Sequence, residues 1–320
     1  MKKSVAVQSN AYIAPKKSLF NEFKKHYALL IMLLPGFIAL LLFAYKPMYG
    51  LLIAFKDYKF RLGIWGSPWA DQNGLEHFIR MFSGGDFLRI LKNTVVISFL
   101  KLVCSFPAPI ALALLLNEMR NQAYKRVIQT LSYLPHFFSW VVLGGIFKML
   151  FASVGPINMV LTNLGMDQPI SFFGNNATFL GLIIGTSVWQ TMGWNAIIYM
   201  AALSGVDESL YEAAYIDGAS RWKQVWHISI PSIMGTVTTV FIMNLGSVLS
   251  AGFDQIYNLY NAMVYKSSDI LDTYSLRLLQ DGRYELGTAL GFFKSLVGMV
   301  FVLLSNKVVK VLSHDEYGIL

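Results

Sequence analysis

The chain has 320 residues, 55% of them hydrophobic and only 14% charged, where a soluble domain carries about 25% charged residues. That deficit argues against a soluble enzyme built on a large core, and the single cysteine, Cys104, excludes a disulfide framework or a cysteine metal site. Net charge is +8, yet the lysines at 2, 3, 16, 17, 24 and 25 all precede the first apolar run, and no aromatic-interleaved basic stripe accompanies them, so nucleic acid is not an expected partner.

Residues 1–26 read as a basic tail held on the cytoplasmic side. The run HYALLIMLLPGFIALLLFAY that follows is long and has no small-residue cleavage site after it, so it reads as a retained span, not a secretory signal. Crossing the hydrocarbon takes about 20 mostly apolar residues as a helix. Six segments qualify: 27–45, 93–116, 127–151, 178–203, 232–257 and 286–312. They lack the alternation of barrel strands, so helices are expected, with Pro35, Pro107, Pro109 and Pro135 as tolerated kinks. The expected fold is an all-α integral membrane protein with six transmembrane helices over 27–320.

With the N-terminus inside, the C-terminus is also inside. The lysine and arginine count of the loops barely discriminates, and the basic tail decides the orientation. The connection 46–92 then lies outside; Trp65 and Trp69 in it fit either interface aromatics or a partner contact. Its GLEHFIRMF stretch has the helical spacing of an element lying along the membrane surface.

Three lysines interrupt spans, at Lys101, Lys148 and Lys294, and all fall in the outer half of this topology. Two readings stay open: snorkelling to the interface, or a positively biased path for an acidic sugar such as a uronate oligomer. Sugar sites combine aromatic faces with amides and hydroxyls. Span four offers Trp189, Trp194, Asn195 and Tyr199; span five offers Asn244, Ser247 and Phe253, with Asp254 near its outer end. The polar groups among these serve equally well as glue between helices.

The segment 204–231 is a polar island on the cytoplasmic side. Asp207 and Ser209 are N-cap candidates, and Ser209-x-x-Glu212 fits a capping box. A helix from Asp207 to Ile216 ending at Gly218 should follow. Ser220 caps a second helix through Trp226, and Pro231 opens the next span. Tyr211, Trp222 and Trp226 place large apolar groups where water would meet them, as a docking element does; an ordinary loop is the competing reading.

At these residues the chain resembles a known family. Glu212-Ala213-Ala214, Gly218, Ile228 and Ile230-Pro231, with Asp217-Gly218-Ala219, match the cytoplasmic signature of permease subunits of binding-protein-dependent ABC importers. Asp207 stands where many relatives have proline, and Ile230 replaces the usual leucine. GLEHF followed by LKNTVVIS is similar to carbohydrate permeases. FDQIYNLYNAMVYKSSDILDTYSLR and YELGTALGFFKSLVGMVFVLLSN look like the subgroup serving oligosaccharides or polysaccharide fragments, of alginate or pectin type. The resemblance covers nearly the whole chain and implies a type I importer permease fold in a bacterial cell membrane. It implies that Tyr211, Glu212, Ala213, Ala214, Asp217, Gly218 and Ala219 contact an ATPase subunit. It also implies a second, unlike permease subunit, two ATPase subunits, an extracellular solute-binding protein and an oligosaccharide substrate, besides the surrounding lipid.

No G-x-x-x-x-G-K-[ST], H-E-x-x-H or G-x-S-x-G occurs. The chain is therefore expected to be no enzyme and to bind no cofactor, with ATP and Mg used by the partner ATPase. The competing class is an ion-coupled secondary transporter of sugars; such proteins usually carry intramembrane carboxylates and inverted repeats, and no repeat is visible here.

Overall fold

A computed structural model describes residues 27–246 and 248–312. The expected cytoplasmic tail 1–26 and candidate residue Ser247 lie outside the described residues. The chain divides into two units, Met1–Leu52 and Ile53–Leu320. α1 (Tyr27–Leu40), in the first, continues through a wide turn at Leu41–Tyr45 into a tight helix, Lys46–Phe55, whose last three residues belong to the second, and every residue from 27 to 49 is exposed. An apolar helix with no buried face suits lipid.

The second unit is helical throughout, with one isolated bridge between Lys56 and Trp69 as its only strand-like pairing among the described residues. The amphipathic α2 (Glu76–Ser83) precedes α3 (Gly85–Ser105), which runs on into α4 (Pro107–Glu118). Pro107 sits in the first turn of α4, where its missing N–H costs nothing. Then come α5 (Gln122–Tyr133), α6 (Trp140–Leu150) and α7 (Asn176–Ser204). The island holds α8 (Glu208–Ile216) and α9 (Arg221–Gln224). Last are α10 (Met234–Gly246), α11 (Phe253–Leu259), α12 (Leu271–Gln280) and α13 (Tyr284–Leu312).

Among the described residues, three helices are long and apolar enough to cross a membrane: Tyr27–Phe55, Gly85–Glu118 and Tyr284–Lys307. Two bent pairs raise the number to five: Gln122–Phe137 with Trp140–Leu150, bent by 105°, and Arg221–Ser232 with Met234–Leu245, bent by 60°. The segment expected as span four is the single 29-residue helix α7, about 43 Å long at 1.5 Å per residue. Thr186, Ser187, Gln190, Thr191 and Asn195 keep it less apolar than the others. It does not need lipid-grade hydropathy, because it packs against α3, α4, α5 and α10.

Span five differs from its expected course over 232–257. α10 ends at Gly246, and α11 starts afresh after Ala251 (φ +47) and Gly252 (φ +82). Two consecutive left-handed residues cannot continue a right-handed helix. At the bend before α6, Pro135 lies in a tight turn, Leu134–Phe137, as a proline-induced kink requires.

Three apolar clusters hold the second unit. Phe179, Ile183, Leu143 and Ile256 centre one; Phe87, Ile90, Leu271 and Leu290 a second; Ala113, Ala196, Tyr199 and Ile233 a third. α7 contributes to the first and the third, and so forms the spine of the bundle.

Candidate functional site

The island folds as a helix–glycine–helix hairpin. Asp207 caps α8: its Oδ1 accepts from the Ser209 backbone N–H at 3.0 Å. That N–H, with further hydrogen bonding from Ser209, holds the Asp207 carboxyl below the usual carboxylate range. Because the folded value is depressed, capping stabilises the fold above the carboxyl's ordinary range and is lost as pH falls through the lowered one. Ser209 lies inside the helix, one residue past its start, so the expected Ser209–Glu212 capping box does not form; Asp207 has taken the cap.

At the other end the Gly218 N–H donates to Tyr215 O (3.1 Å) and the Ala219 N–H to Ala214 O (2.9 Å). These are the two bonds of a Schellman ending, with Gly218 at φ +73. Ser220 Oγ then accepts from the Lys223 N–H. The second helix does not stop at Trp226 as expected. It widens at Val225–Ser229, where the Ile230 N–H reaches Val225 O, and continues to Ser232. The wide turn absorbs Pro231, which lacks an N–H to offer a regular turn.

Tyr211 does not face water. It is half-buried, and its hydroxyl hydrogen-bonds the buried Ser229 Oγ at 2.9 Å, stapling the two helices together. Arg221 pairs with Glu118 at 3.0 Å, tying the hairpin to the end of α4. Of the signature residues, Glu212, Ala213, Asp217 and Gly218 are exposed, and Ala214 and Ala219 are half-buried. Trp222 and Trp226 are exposed as expected, but Tyr215 and Ile216, at 79% and 83% exposure, are the barest apolar groups of the hairpin. The signal for them was present in the sequence: they are the last two residues of α8, followed by Asp217 and the glycine that ends it.

α3, α4, α7, α10 and the break after it line an open cavity of about 370 Å³. Of the expected substrate-path residues, Lys101, Asn195, Tyr199 and Asn244 line it, together with Ser98, Ser105, Ser187 and Thr191. Of the aromatic side chains expected there, Tyr199 lines it and the other three do not. Trp194 stacks on His136 with ring centres 4.5 Å apart, and Trp189 packs edge-on against Phe147 at 5.6 Å. Phe253 stacks on Tyr257, and Asp254 is exposed on α11.

The three lysines separate. Lys148 is exposed. Lys294 pairs with Asp272 at 2.6 Å beside a second cavity, so it does not snorkel. Lys101 donates to Ala251 O at 2.7 Å and to Gln255 Oε1. Asp272 and Gln255 were missed in the sequence, where they stand 22 and 154 residues from their lysines. A third polar cluster, also missed, pairs Arg277 with the buried Asp269 at 2.6 Å and stacks the guanidinium over Tyr265.

The family described as binding-protein-dependent transport system inner membrane component matches residues 105–314. This chain belongs to that family. The permease is 43% identical over 306 residues to the polygalacturonan/rhamnogalacturonan transport system permease protein YteP of Bacillus subtilis (strain 168), covering 95% of this chain and 93% of that one. It is 42% identical over 298 residues to Protein LplB of the same organism, with 92% of each covered. A chain in the crystal structure of a bacterial alginate ABC transporter, in complex with an alginate pentasaccharide-bound periplasmic protein, superimposes with a TM-score of 0.85 and 35% identity. That match covers 95% of this permease and the whole of the other chain. The type I importer permease fold and the multi-pass membrane character expected from the sequence both follow.

Proposed function

We propose that the permease is the non-catalytic, membrane-spanning subunit of an ATP-driven importer that takes an oligosaccharide from an extracellular solute-binding protein into the cytoplasm. The observation that carries this reading is the stapled hairpin. It is a rigid unit that presents Tyr215, Ile216, Trp222 and Trp226 uncovered, on the loop that bears the family signature. Bare aromatic and aliphatic groups on a pinned scaffold suit a docking surface, because little side-chain or loop entropy is left to lose on binding.

In this reading both termini and the hairpin are cytoplasmic, a second permease completes the pathway, and two ATPase subunits use ATP and Mg. Oligosaccharide is the substrate class supported by the names of the similar proteins and by a cavity rich in hydroxyls and amides. The test is uptake of labelled oligosaccharide into proteoliposomes holding both permeases, the ATPase subunits and the solute-binding protein. Uptake should require ATP and the ATPase subunits. Uptake that persists without them under a proton or sodium gradient would instead establish a secondary transporter.

A further inference from the structure

Lys101 lies inside the span Gly85–Glu118, and its amine is held within the bundle by Ala251 and Gln255 instead of snorkelling to an interface. Its ammonium has three N–H donors. Two go to neutral acceptors, Ala251 O and Gln255 Oε1. Gln255 is itself pinned, since its amide donates to Ile183 O at 2.7 Å and Thr186 Oγ1 at 2.8 Å. The left-handed pair Ala251–Gly252 turns the other carbonyl toward the amine. A Cβ on Gly252 would stand 2.5 Å from Lys101 Nζ, so this approach depends on glycine.

The surroundings of that amine are unusual. Ser98, Lys101 and Ser105 share one face of α3 by their spacing and all line the cavity. Ser98 is 6% exposed, and the hydroxyl oxygens of Ser98 and Ser105 are both buried without a protein partner. Among the described residues no aspartate or glutamate lines the cavity, whereas Lys294 and Arg277 each have a carboxylate. An ionisable amine deep in a bundle, answered by neutral dipoles, is costly to charge and marks function. A ligand that brings one negative charge and several acceptor lone pairs completes it, and a carboxylate does both.

We propose that Lys101, with Ser98 and Ser105, is the carboxylate-recognising group of the transport cavity, through which the permease favours uronate-bearing over neutral oligosaccharides. This assignment rests on the importer reading above. Of the lysines that interrupt the spans, it singles out one. Lys294 is already neutralised by its partner, and Lys148 lines neither cavity.

The test compares a trigalacturonate with its fully methyl-esterified form, nearly isosteric and neutral, as stimulants of ATP hydrolysis by the assembled complex with one and the same solute-binding protein. Losing a charge-assisted hydrogen bond should lower the acid-over-ester preference of Lys101→Gln about 10-fold or more relative to wild type, while Lys101→Arg keeps most of it. An unchanged preference, or an equal loss for both sugars, overturns the assignment. If Lys101→Gln does not assemble, Ser98→Ala/Ser105→Ala is read in the same way: a smaller fall in preference is expected, and none overturns the assignment. A wild-type complex with no preference for the acid over the ester overturns the assignment, whereas the importer reading falls only if uptake proceeds without ATP and the ATPase subunits.

Discussion

Gly193 shows how tightly single positions are set in this bundle. A Cβ there would run into the Ser132 carbonyl of α5, whereas at Gly185, on the same helix, it would meet nothing within 4 Å. Gly193→Ala should therefore destabilise the purified complex by about 1–3 kcal/mol. Gly185→Ala should be neutral or slightly stabilising, since alanine is the better helix former. Thermal unfolding of the two variants side by side separates close approach from propensity. The Lys294–Asp272 pair gives a second contrast. Each side chain is less than a quarter exposed, so Asp272→Asn alone leaves a poorly solvated charge unanswered and costs on the order of 3 kcal/mol. Asp272→Asn with Lys294→Gln should unfold at a higher temperature than either single variant; an additive loss would contradict the pairing. These partners could not be read from the sequence. The lysines were visible as interruptions of apolar runs, but helix register and depth, which decide between snorkelling and pairing, come only from packing.

At the scale of elements, the hairpin at 207–232 was the most legible part of the chain. Capping residues and a left-handed glycine act locally, so Asp207, Gly218 and Ser220 announce themselves in the sequence. What the sequence did not reveal was tertiary: Tyr211 turned inward to Ser229, and the wide turn that carries the second helix past Pro231. The two ties on the hairpin should differ in weight. Tyr211→Phe removes a partly buried hydrogen bond worth about 1 kcal/mol and should lower the amount of sugar moved per ATP hydrolysed. Arg221→Ala breaks a largely exposed ion pair, worth about 0–1 kcal/mol, and should leave that ratio nearly unchanged. A reversed order in measured coupling would mean that the Glu118 tie, not the tyrosine staple, transmits the load. Span five was misread for a related reason: its hydropathy is continuous, and nothing in the composition warns that Ala251 and Gly252 turn left-handed to meet Lys101.

At the scale of the whole molecule, three of the six expected spans are single helices long and apolar enough to cross, and two more are bent pairs. α7, expected as span four over 178–203, is less apolar than these, since a helix wrapped by others carries polar residues that a lipid-facing helix cannot. It joins the cavity to the hairpin in one uninterrupted 29-residue helix, with Asn195 and Tyr199 on the cavity wall and Gly205 as its cap just before Asp207. In the importer proposed above, that continuity makes the hairpin the point where force reaches the cavity. The most direct test is Gly218→Pro, since proline cannot adopt the φ of +73 found there. It is measured as substrate-stimulated ATP hydrolysis by the assembled complex, with exposed Glu212→Lys as a second variant. Both variants should insert and assemble but lose the stimulation; stimulation at the wild-type level would contradict the hairpin's role as the coupling element.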